Sequence, residues 1–233
     1  MARSGVVFPP AVHAKDAAVP SDRRIRKASR TRAALADAAL RLFAEKGYEN
    51  TSVEDIADVV DVGSRTFFRY FSSKEDVLFA DLDTNDLFLE AIRQQPIRMS
   101  DLDAVREAYI ALLPPPDPAV IERTVLMKKA LESSPALQGR NVRLQIEFRD
   151  GIASALAARR GLKKPDGQTL MAAAIAQTVM HLTFDHWAAL GGRPDIRKEL
   201  RRFFGMAMHV LDEPRGSSGE TRGRSRGAVR KSA

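Results

Sequence analysis

Two short stretches between residues 51 and 74 carry apolar residues at the spacing of an α-helix. The first stretch places four apolar side chains on one helical face: Val53, Ile56, Ala57 and Val60. Ser52 with Asp55 forms a candidate capping box at its start, and Thr51 with Glu54 offers the same pairing one residue earlier. The pattern therefore predicts a short helix that begins near residue 52 and buries one face.

The second stretch follows a predicted turn. Asp61 and Gly63 interrupt the periodicity, and both residue types tolerate left-handed backbone better than most. Beyond the turn, Phe67 and Phe71 are four residues apart and are predicted to face inward. The other sides of this helix carry cations, a hydroxyl and aromatic rings: Arg65, Thr66, Phe68, Arg69 and Tyr70, with Lys74 just beyond. A positioning helix, a tight turn and an exposed polar helix are typical of a helix-turn-helix.

The residue types on the exposed face indicate DNA as the partner, because phosphate oxygens and base edges accept hydrogen bonds from cations and hydroxyls. We predict DNA contacts from eight residues: Ser52, Ser64, Arg65, Thr66, Phe68, Arg69, Tyr70 and Lys74. Base or groove contacts are assigned to Arg65, Thr66 and Arg69, and phosphate contacts to Ser52, Tyr70 and Lys74. Residues 22–30 are strongly basic and are interpreted as an arm that touches phosphate or the minor groove, or alternatively as a solubilising flank.

Residues 32–78 resemble the DNA-binding signature of the TetR family of transcriptional regulators. The resemblance is carried by Ala38, Leu42, Phe43, Gly47, Tyr48, Thr51-Ser-Val, Ile56-Ala57, Val62, Thr66-Phe-Phe-Arg-Tyr-Phe71 and Lys74-Glu-Asp. Asp61 stands where the family usually has the turn glycine, and Phe68 replaces a common tyrosine whose hydroxyl often meets phosphate. Gly63 stands at the usual N-cap serine, which would let Ser64 cap the recognition helix instead.

Composition is compatible with this interpretation. The 233 residues include 44% hydrophobic residues and carry a net charge of +7, which suits a polyanionic partner. There is no cysteine, which excludes disulfides, thiolate zinc sites and cysteine nucleophiles. No apolar run is long enough to span a membrane and the start of the chain lacks a signal-peptide core, so a cytoplasmic protein without a cofactor is expected.

The remaining chain is predicted to be helical throughout, which makes the fold all-α: a three-helix, homeodomain-like head followed by a helical ligand-binding and dimerisation domain. The predicted domains are a disordered leader (1–21), the helix-turn-helix domain with its basic arm (22–78), the second domain (79–212) and a disordered basic tail (213–233). Predicted helices cover about 27–46, 52–60, 64–71, 101–113, 118–132, 136–160, 166–190 and 194–211, and a further helix starts within 72–76 and runs to about 95.

The helix predicted at 166–190 is apolar on nearly all sides, so most of its surface must be buried. One side is interpreted as a contact with a second copy of the chain, together with the last helix. The resemblance implies the same homodimer, through the last two helices. The helix at 166–190 is predicted to present an apolar surface formed by Leu170, Ala174, Gln177, Met180, His181, Phe184 and Trp187. The last helix adds Ile196, Leu200, Phe203, Phe204, Ala207 and Val210.

The resemblance also implies a ligand pocket in the second domain, and a weak likeness of short stretches points to the subgroup that binds acyl-CoA-like effectors. Candidate lining residues are Phe88, Tyr109, Met127, Leu131, Phe148, Ile152, Met180, Phe184 and Trp187. The same residue types at helical spacing are also typical of a plain core. His181 and Asp185 share a helical face and could begin a metal site, but a polar cluster is favoured because further ligands are scarce.

We therefore predict a sequence-specific regulator, a ligand-responsive repressor that binds a palindromic operator in double-stranded DNA as a dimer. Two alternatives remain. A nonspecific DNA-compacting protein would spread basic residues over its surface, whereas the face with Glu54, Asp55 and Asp58 is acidic. A small helical enzyme is less favoured, because no nucleophile elbow, phosphate loop or distinctive carboxylate pair is found.

Overall fold

The computed structural model describes residues 23–79, 84–113 and 117–212, and within them the chain forms helices and no strand. The all-α prediction is therefore confirmed. The helices are α1 (Arg23–Lys46), α2 (Val53–Val59), α3 (Ser64–Tyr70), α4 (Asp76–Phe79), α5 (Thr84–Arg93), α6 (Asp101–Leu112), α7 (Pro118–Glu132), α8 (Pro135–Arg159), α9 (Gly167–Ala189) and α10 (Ile196–Asp212). We call α1 to α4 the head and α5 to α10 the second domain.

The predicted capping box of α2 is present. The Ser52 hydroxyl accepts a hydrogen bond from the Asp55 amide at 3.0 Å, and the Asp55 carboxylate accepts one from the Ser52 amide at 2.8 Å. Two otherwise unpaired donors at the helix start are thereby satisfied. Ile56 and Phe67 are fully buried and Phe71 nearly so, and these side chains pack α2 and α3 against α1.

The turn between α2 and α3 differs from the prediction at Gly63 and at Ser64. Asp61 has a φ of 55° and is left-handed, as its residue type allows, whereas Gly63 has an extended φ of −80°. Gly63 is the N-cap of α3 and Ser64 is its first helical residue. The expectation that Ser64 caps α3 is therefore wrong, because its hydroxyl donates to the Glu54 carboxylate at 3.2 Å instead.

The single helix predicted to start within 72–76 and to run to about 95 is described as α4 and α5, and residues 80–83 between them lie outside the described part of the chain. The predicted leader (1–21) and basic tail (213–233) also lie outside it. Residues 23–30 of the predicted basic arm belong to α1, and Arg26, Lys27 and Arg30 are exposed there.

Buried apolar residues form two clusters, and the first is not confined to the head. Ala130 and Leu131 of α7 and Leu137 of α8 belong to the same cluster as the head's buried side chains. The second cluster joins α5, α6, α8, α9 and α10 and includes Phe148 and Ile152 of α8. Because α8 runs unbroken through both clusters, it connects the head directly to the second core.

The corner between α7 and α8 is hydrogen-bonded to the loop that follows α1. The Ser133 hydroxyl accepts a hydrogen bond from the Tyr48 amide at 3.2 Å, and the Ser134 hydroxyl donates to Glu49 at 2.9 Å. Ser134 is fully buried, so its hydroxyl needs such a partner. These bonds fix the corner of the second domain against the head.

Arg140 of α8 holds the start of α4. Its guanidinium pairs with Asp76 at 2.6 Å and with Glu75 at 3.2 Å, and it lies 4.9 Å from the centre of the Phe79 ring. Burial alone would raise the pKa of Asp76, but hydrogen bonds from Arg140 and Ser73 outweigh it and lower that pKa. The carboxylate therefore stays charged and paired at neutral pH.

Lys74 braces the loop between α1 and α2 from the other side. Its ammonium donates to the backbone carbonyls of Tyr48 at 2.8 Å and Thr51 at 2.9 Å and lies 4.0 Å from the centre of the Tyr48 ring. The Tyr48 hydroxyl donates to Glu75 at 3.1 Å. Burial and this bond raise the pKa of Tyr48 well above its ordinary value, so the phenol remains a donor.

We expect Asp61→Gly to be more stable than Asp61→Ala by about 1 kcal/mol, because only glycine adopts positive φ without cost. Both variants lose the carboxylate, so the comparison isolates the backbone term. Thermal unfolding should place the glycine variant ~2–4 °C higher. Equal melting temperatures would show that the left-handed conformation at this position carries no strain.

Lys74→Met keeps the aliphatic stem but removes the donors to two carbonyls, and we expect it to reduce the free energy of unfolding by ~1–3 kcal/mol. Urea unfolding without DNA measures this directly. Lys129→Met on the exposed side of α7 is the matched control and should leave stability within ~0.5 kcal/mol. Unchanged stability of Lys74→Met would mean that this amine has no structural task.

Candidate nucleic-acid interface

The outer face of α3 is fixed by what its inner face buries. Phe67 is fully buried and Phe71 is 3% exposed, so the helix cannot rotate without exposing them. At 100° per residue, the positions on either side of Phe67 then point outward. The structure brings four of the predicted contact residues together around one surface hollow of about 420 Å³: Arg65, Thr66, Phe68 and Arg69.

The two arginines of this face are held differently. Arg65 is exposed and makes no hydrogen bond or ion pair with any described residue. Arg69 lies over the Tyr70 ring, 4.9 Å from its centre, and donates to the Tyr70 hydroxyl at 3.2 Å. Arg69 is therefore oriented before any ligand arrives, whereas the guanidinium of Arg65 has all its donors available.

The remaining predicted contact residues have partners within the protein. The exposed Ser52 hydroxyl accepts from the Asp55 amide, which leaves its own hydrogen for a phosphate oxygen. The Ser64 hydroxyl donates to Glu54, and two hydrogens of the Lys74 ammonium are used by backbone carbonyls. Phosphate contacts by Ser52, Tyr70 and Lys74 stay predictions. No local pattern indicates that Lys74 holds this loop, because its partners are more than twenty residues away.

Five of the predicted pocket residues form a continuous chain of rings across four helices of the second domain. The ring centres are 5.4 Å apart for Phe148–Phe88 and Phe88–Tyr109, 5.8 Å for Tyr109–Phe184 and 6.3 Å for Phe184–Trp187. Met180 is fully buried in the second cluster beside them, as is Ile152. Burial raises the pKa of Tyr109, and its hydroxyl has no hydrogen-bond partner among the described residues.

Met127 and Leu131 do not lie with these rings. They belong to the cluster of the head, because α7 packs against α1 and turns its apolar side to that helix. Met127 and Leu131 thus lie apart from the rings, and a single pocket lined by all the predicted residues stays a prediction. An apolar groove of about 460 Å³ lies instead between α9 and α10, and it is lined by Ala174, Ile175, Thr178, Val179, Leu182, Phe203, Met206, Ala207, Val210 and Leu211.

His181 and Asp185 form a polar cluster with a lysine of α7. Asp185 accepts from Lys128 at 2.6 Å and lies 3.0 Å from the His181 ring nitrogen. Burial lowers the pKa of His181. The carboxylate of Asp185 raises it and the ammonium of Lys128 lowers it, and the net shift is downward. Within the described residues, no three potential ligands lie close enough to hold a metal ion. The cluster instead ties α7 to α9.

The described helices include none that is both long and apolar enough to cross a bilayer.

Comparison with known proteins agrees with this architecture. Residues 35–80 match the profile described as bacterial regulatory proteins of the tetR family, and residues 99–211 match the MftR C-terminal domain. The regulator TcmR of Streptomyces glaucescens is 36% identical over 149 residues, which cover 61% of this chain and 66% of TcmR. MftR of Mycobacterium tuberculosis, named for regulation of mycofactocin biosynthesis, is 29% identical over 174 residues, which cover 72% of this chain and 86% of MftR.

A solved structure of another regulator has a similar fold. The fatty acid degradation regulator FadR of Bacillus halodurans superposes with a TM-score of 0.50 at 18% identity, over 78% of this chain and 96% of FadR. The named relatives are transcriptional regulators and not enzymes. The two matched profiles cover most of the head and helices α6 to α10, and the chain belongs to the TetR family of bacterial transcriptional regulators.

Proposed function

We propose that this protein is a repressor that binds a palindromic operator as a homodimer and releases it when an apolar effector occupies the second domain. The observation that carries the proposal is the outer face of α3. It presents Arg65, Thr66 and Arg69 to solvent on a helix whose rotation is fixed by Phe67 and Phe71. Such a helix fits the major groove and brings its donors to base edges.

Each polar residue of this face has a task that matches its donors. The guanidinium of Arg65 can pair with two acceptors of guanine at once, and the hydroxyl of Thr66 suits either a base or a phosphate. Arg69 is positioned by Tyr70 and extends the face along the groove. Ser52 at the start of α2 offers a hydroxyl to the phosphate backbone.

The distribution of charge favours this proposal over nonspecific DNA compaction. Glu54 and Asp58 of α2 are exposed on the head itself, and the nearby Ser64 hydroxyl is hydrogen-bonded to Glu54. Carboxylates so close to the recognition helix oppose a merely electrostatic attraction to any phosphate backbone. Specific hydrogen bonds to bases must then supply a large share of the affinity.

The groove between α9 and α10 supports a homodimer. Large apolar side chains that are about half exposed or more lie along these helices: Leu170, Met171, Leu182, Met206, Val210 and Leu211. Leu182, Met206, Val210 and Leu211 line the groove, and an exposed apolar surface of this kind is typical of a protein–protein contact. The sequence pattern assigned four further residues to the same surface, but these are buried within the chain: Met180, Phe184, Leu200 and Phe204. A second copy, joined here, would bring two heads to two half-sites.

The ring chain of the second domain supports an effector of apolar or acyl-CoA-like character. Aromatic rings form an apolar contact surface for an aliphatic or aromatic ligand. The Tyr109 hydroxyl, which has no partner among the described residues, could donate one hydrogen bond to that ligand. An effector can change operator affinity only if it binds one arrangement of the heads more tightly than the other. The hydrogen-bonded corner at Ser133 and Ser134 and the Arg140 ion pairs would carry that difference to the head.

The sequence specificity is tested with duplex DNA selected from a random pool by the purified full-length protein. Fluorescence anisotropy at physiological salt should give an affinity for the selected duplex ~10³-fold or more above that for a scrambled duplex. Arg65→Ala should reduce operator affinity by ~1–3 kcal/mol and relax the base preference at one position of each half-site. Arg98→Ala, the same change in the exposed loop before α6, is the control and should leave binding unchanged.

A failed selection, or equal weak binding to both duplexes that collapses as salt rises, would contradict the proposal of a specific operator. Equal loss with Arg65→Ala and Arg98→Ala would leave no special role for the recognition helix.

Leu182→Arg places a charge in the groove between α9 and α10, and we expect it to convert the dimer to a monomer at micromolar concentration. Light scattering coupled to size exclusion measures the mass, and operator affinity should fall because one head alone remains. Ile97→Arg makes the same change at a 66% exposed site outside the groove and should remain a dimer. A dimeric Leu182→Arg protein would place the interface elsewhere.

A further inference from the structure

Phe68 is an apolar side chain in the middle of a polar surface. It is 55% exposed, although the neighbouring Phe67 supplies the core contact and is fully buried. A large ring kept in water between two arginines contributes little to the stability of the free protein. Its position on the outer face of α3 indicates that it becomes buried when the head binds DNA.

The direction of this ring is set by the core. Phe68 packs edge to face on Phe67, with ring centres 5.5 Å apart and an angle of 84° between the planes. Because Phe67 cannot move without disturbing the head's core, the exposed ring has a defined orientation. It forms one wall of the hollow that Arg65, Thr66 and Arg69 complete.

The hollow combines hydrogen-bond donors with one apolar ring, and the ring needs an apolar group of the major groove as its partner. Donors from Arg65, Thr66 and Arg69 suit acceptors on bases and phosphates, whereas Phe68 has no hydroxyl and can offer only apolar contact. The apolar group that a major groove presents is the C5-methyl group of a pyrimidine, and phenylalanine is one of the side chains that contact it. In unmodified DNA that group belongs to thymine.

We propose that Phe68 is a specificity-determining residue that contacts the C5-methyl group of one thymine in each half-site. This inference rests on the proposed operator binding and adds a rule for one base position. Burial of a single methyl group changes affinity by about fourfold, so a dimer that makes the contact twice gains about tenfold to twentyfold.

The test replaces each thymine of the selected operator by deoxyuridine, in both half-sites at once, which removes the methyl group and keeps every hydrogen-bonding group. Anisotropy with the full-length protein should find one thymine whose replacement weakens binding about tenfold. Phe68→Leu, which keeps an apolar side chain, should retain part of this difference, and Phe68→Ser should abolish it. Arg65→Ala should retain it in full, which separates this contact from general loss of binding.

A second arm places 5-methylcytosine at each cytosine of the operator and distinguishes the two sources of the methyl group. A gain of affinity there that depends on Phe68, without any deoxyuridine effect, would overturn the assignment to thymine. Specific operator binding in which no deoxyuridine substitution depends on Phe68 would overturn the inference while leaving the proposed function intact. Failure to select any operator would instead remove the proposed function, and the inference with it.

Discussion

The contact between the head and the second domain determines where the recognition helix lies. The four helices of the head enclose few fully buried side chains, and the head completes its core with Leu131 of α7 and Leu137 of α8. Around this apolar contact lie polar bonds, of which the Arg140 pairs with Asp76 and Glu75 are the most direct. The orientation of the recognition helix is thus determined partly by residues far along the chain.

This attachment would give the proposed effector a physical route to the operator. α8 runs unbroken from the head's cluster into the second cluster, where Phe148 joins the chain of rings. α7 packs on α1 and is tied to α9 by the ion pair between Lys128 and Asp185. A ligand that separates the rings would therefore displace helices that contact both the head and the proposed dimer surface. Because α7 and α8 each contact both the head and the second domain, a displacement of these two helices would reach the head directly.

Features with a local cause could be predicted from the sequence. The bounds of α7 agree with the prediction because Pro118 marks its first turn and Asp117 caps it. The capping box at Ser52 and the inward direction of Phe67 likewise depend on neighbours within a few residues. The four outward residues of α3 follow from that direction. The candidate DNA-binding face was therefore largely predictable from spacing alone.

Features that depend on distant partners could not be predicted in this way. The ammonium of Lys74 is drawn inward by carbonyls of another loop, and Met127 faces α1 because α7 packs there. The helix α9 is apolar on nearly all sides, so its sequence does not reveal which face is exposed. Only the packing of α8 and α10 shows that Leu182 points outward while Phe184 points inward.

Whether the head and the second domain share one core is measured by following the unfolding of both in one protein. Trp187 is the only tryptophan and reports on the second domain, and a dye on the single cysteine of Asp58→Cys reports on the head, since the natural chain has no cysteine. In urea, the two signals should change together, because the head shares its core with α7 and α8. A head that unfolds at clearly lower urea than the region around Trp187 would contradict the account.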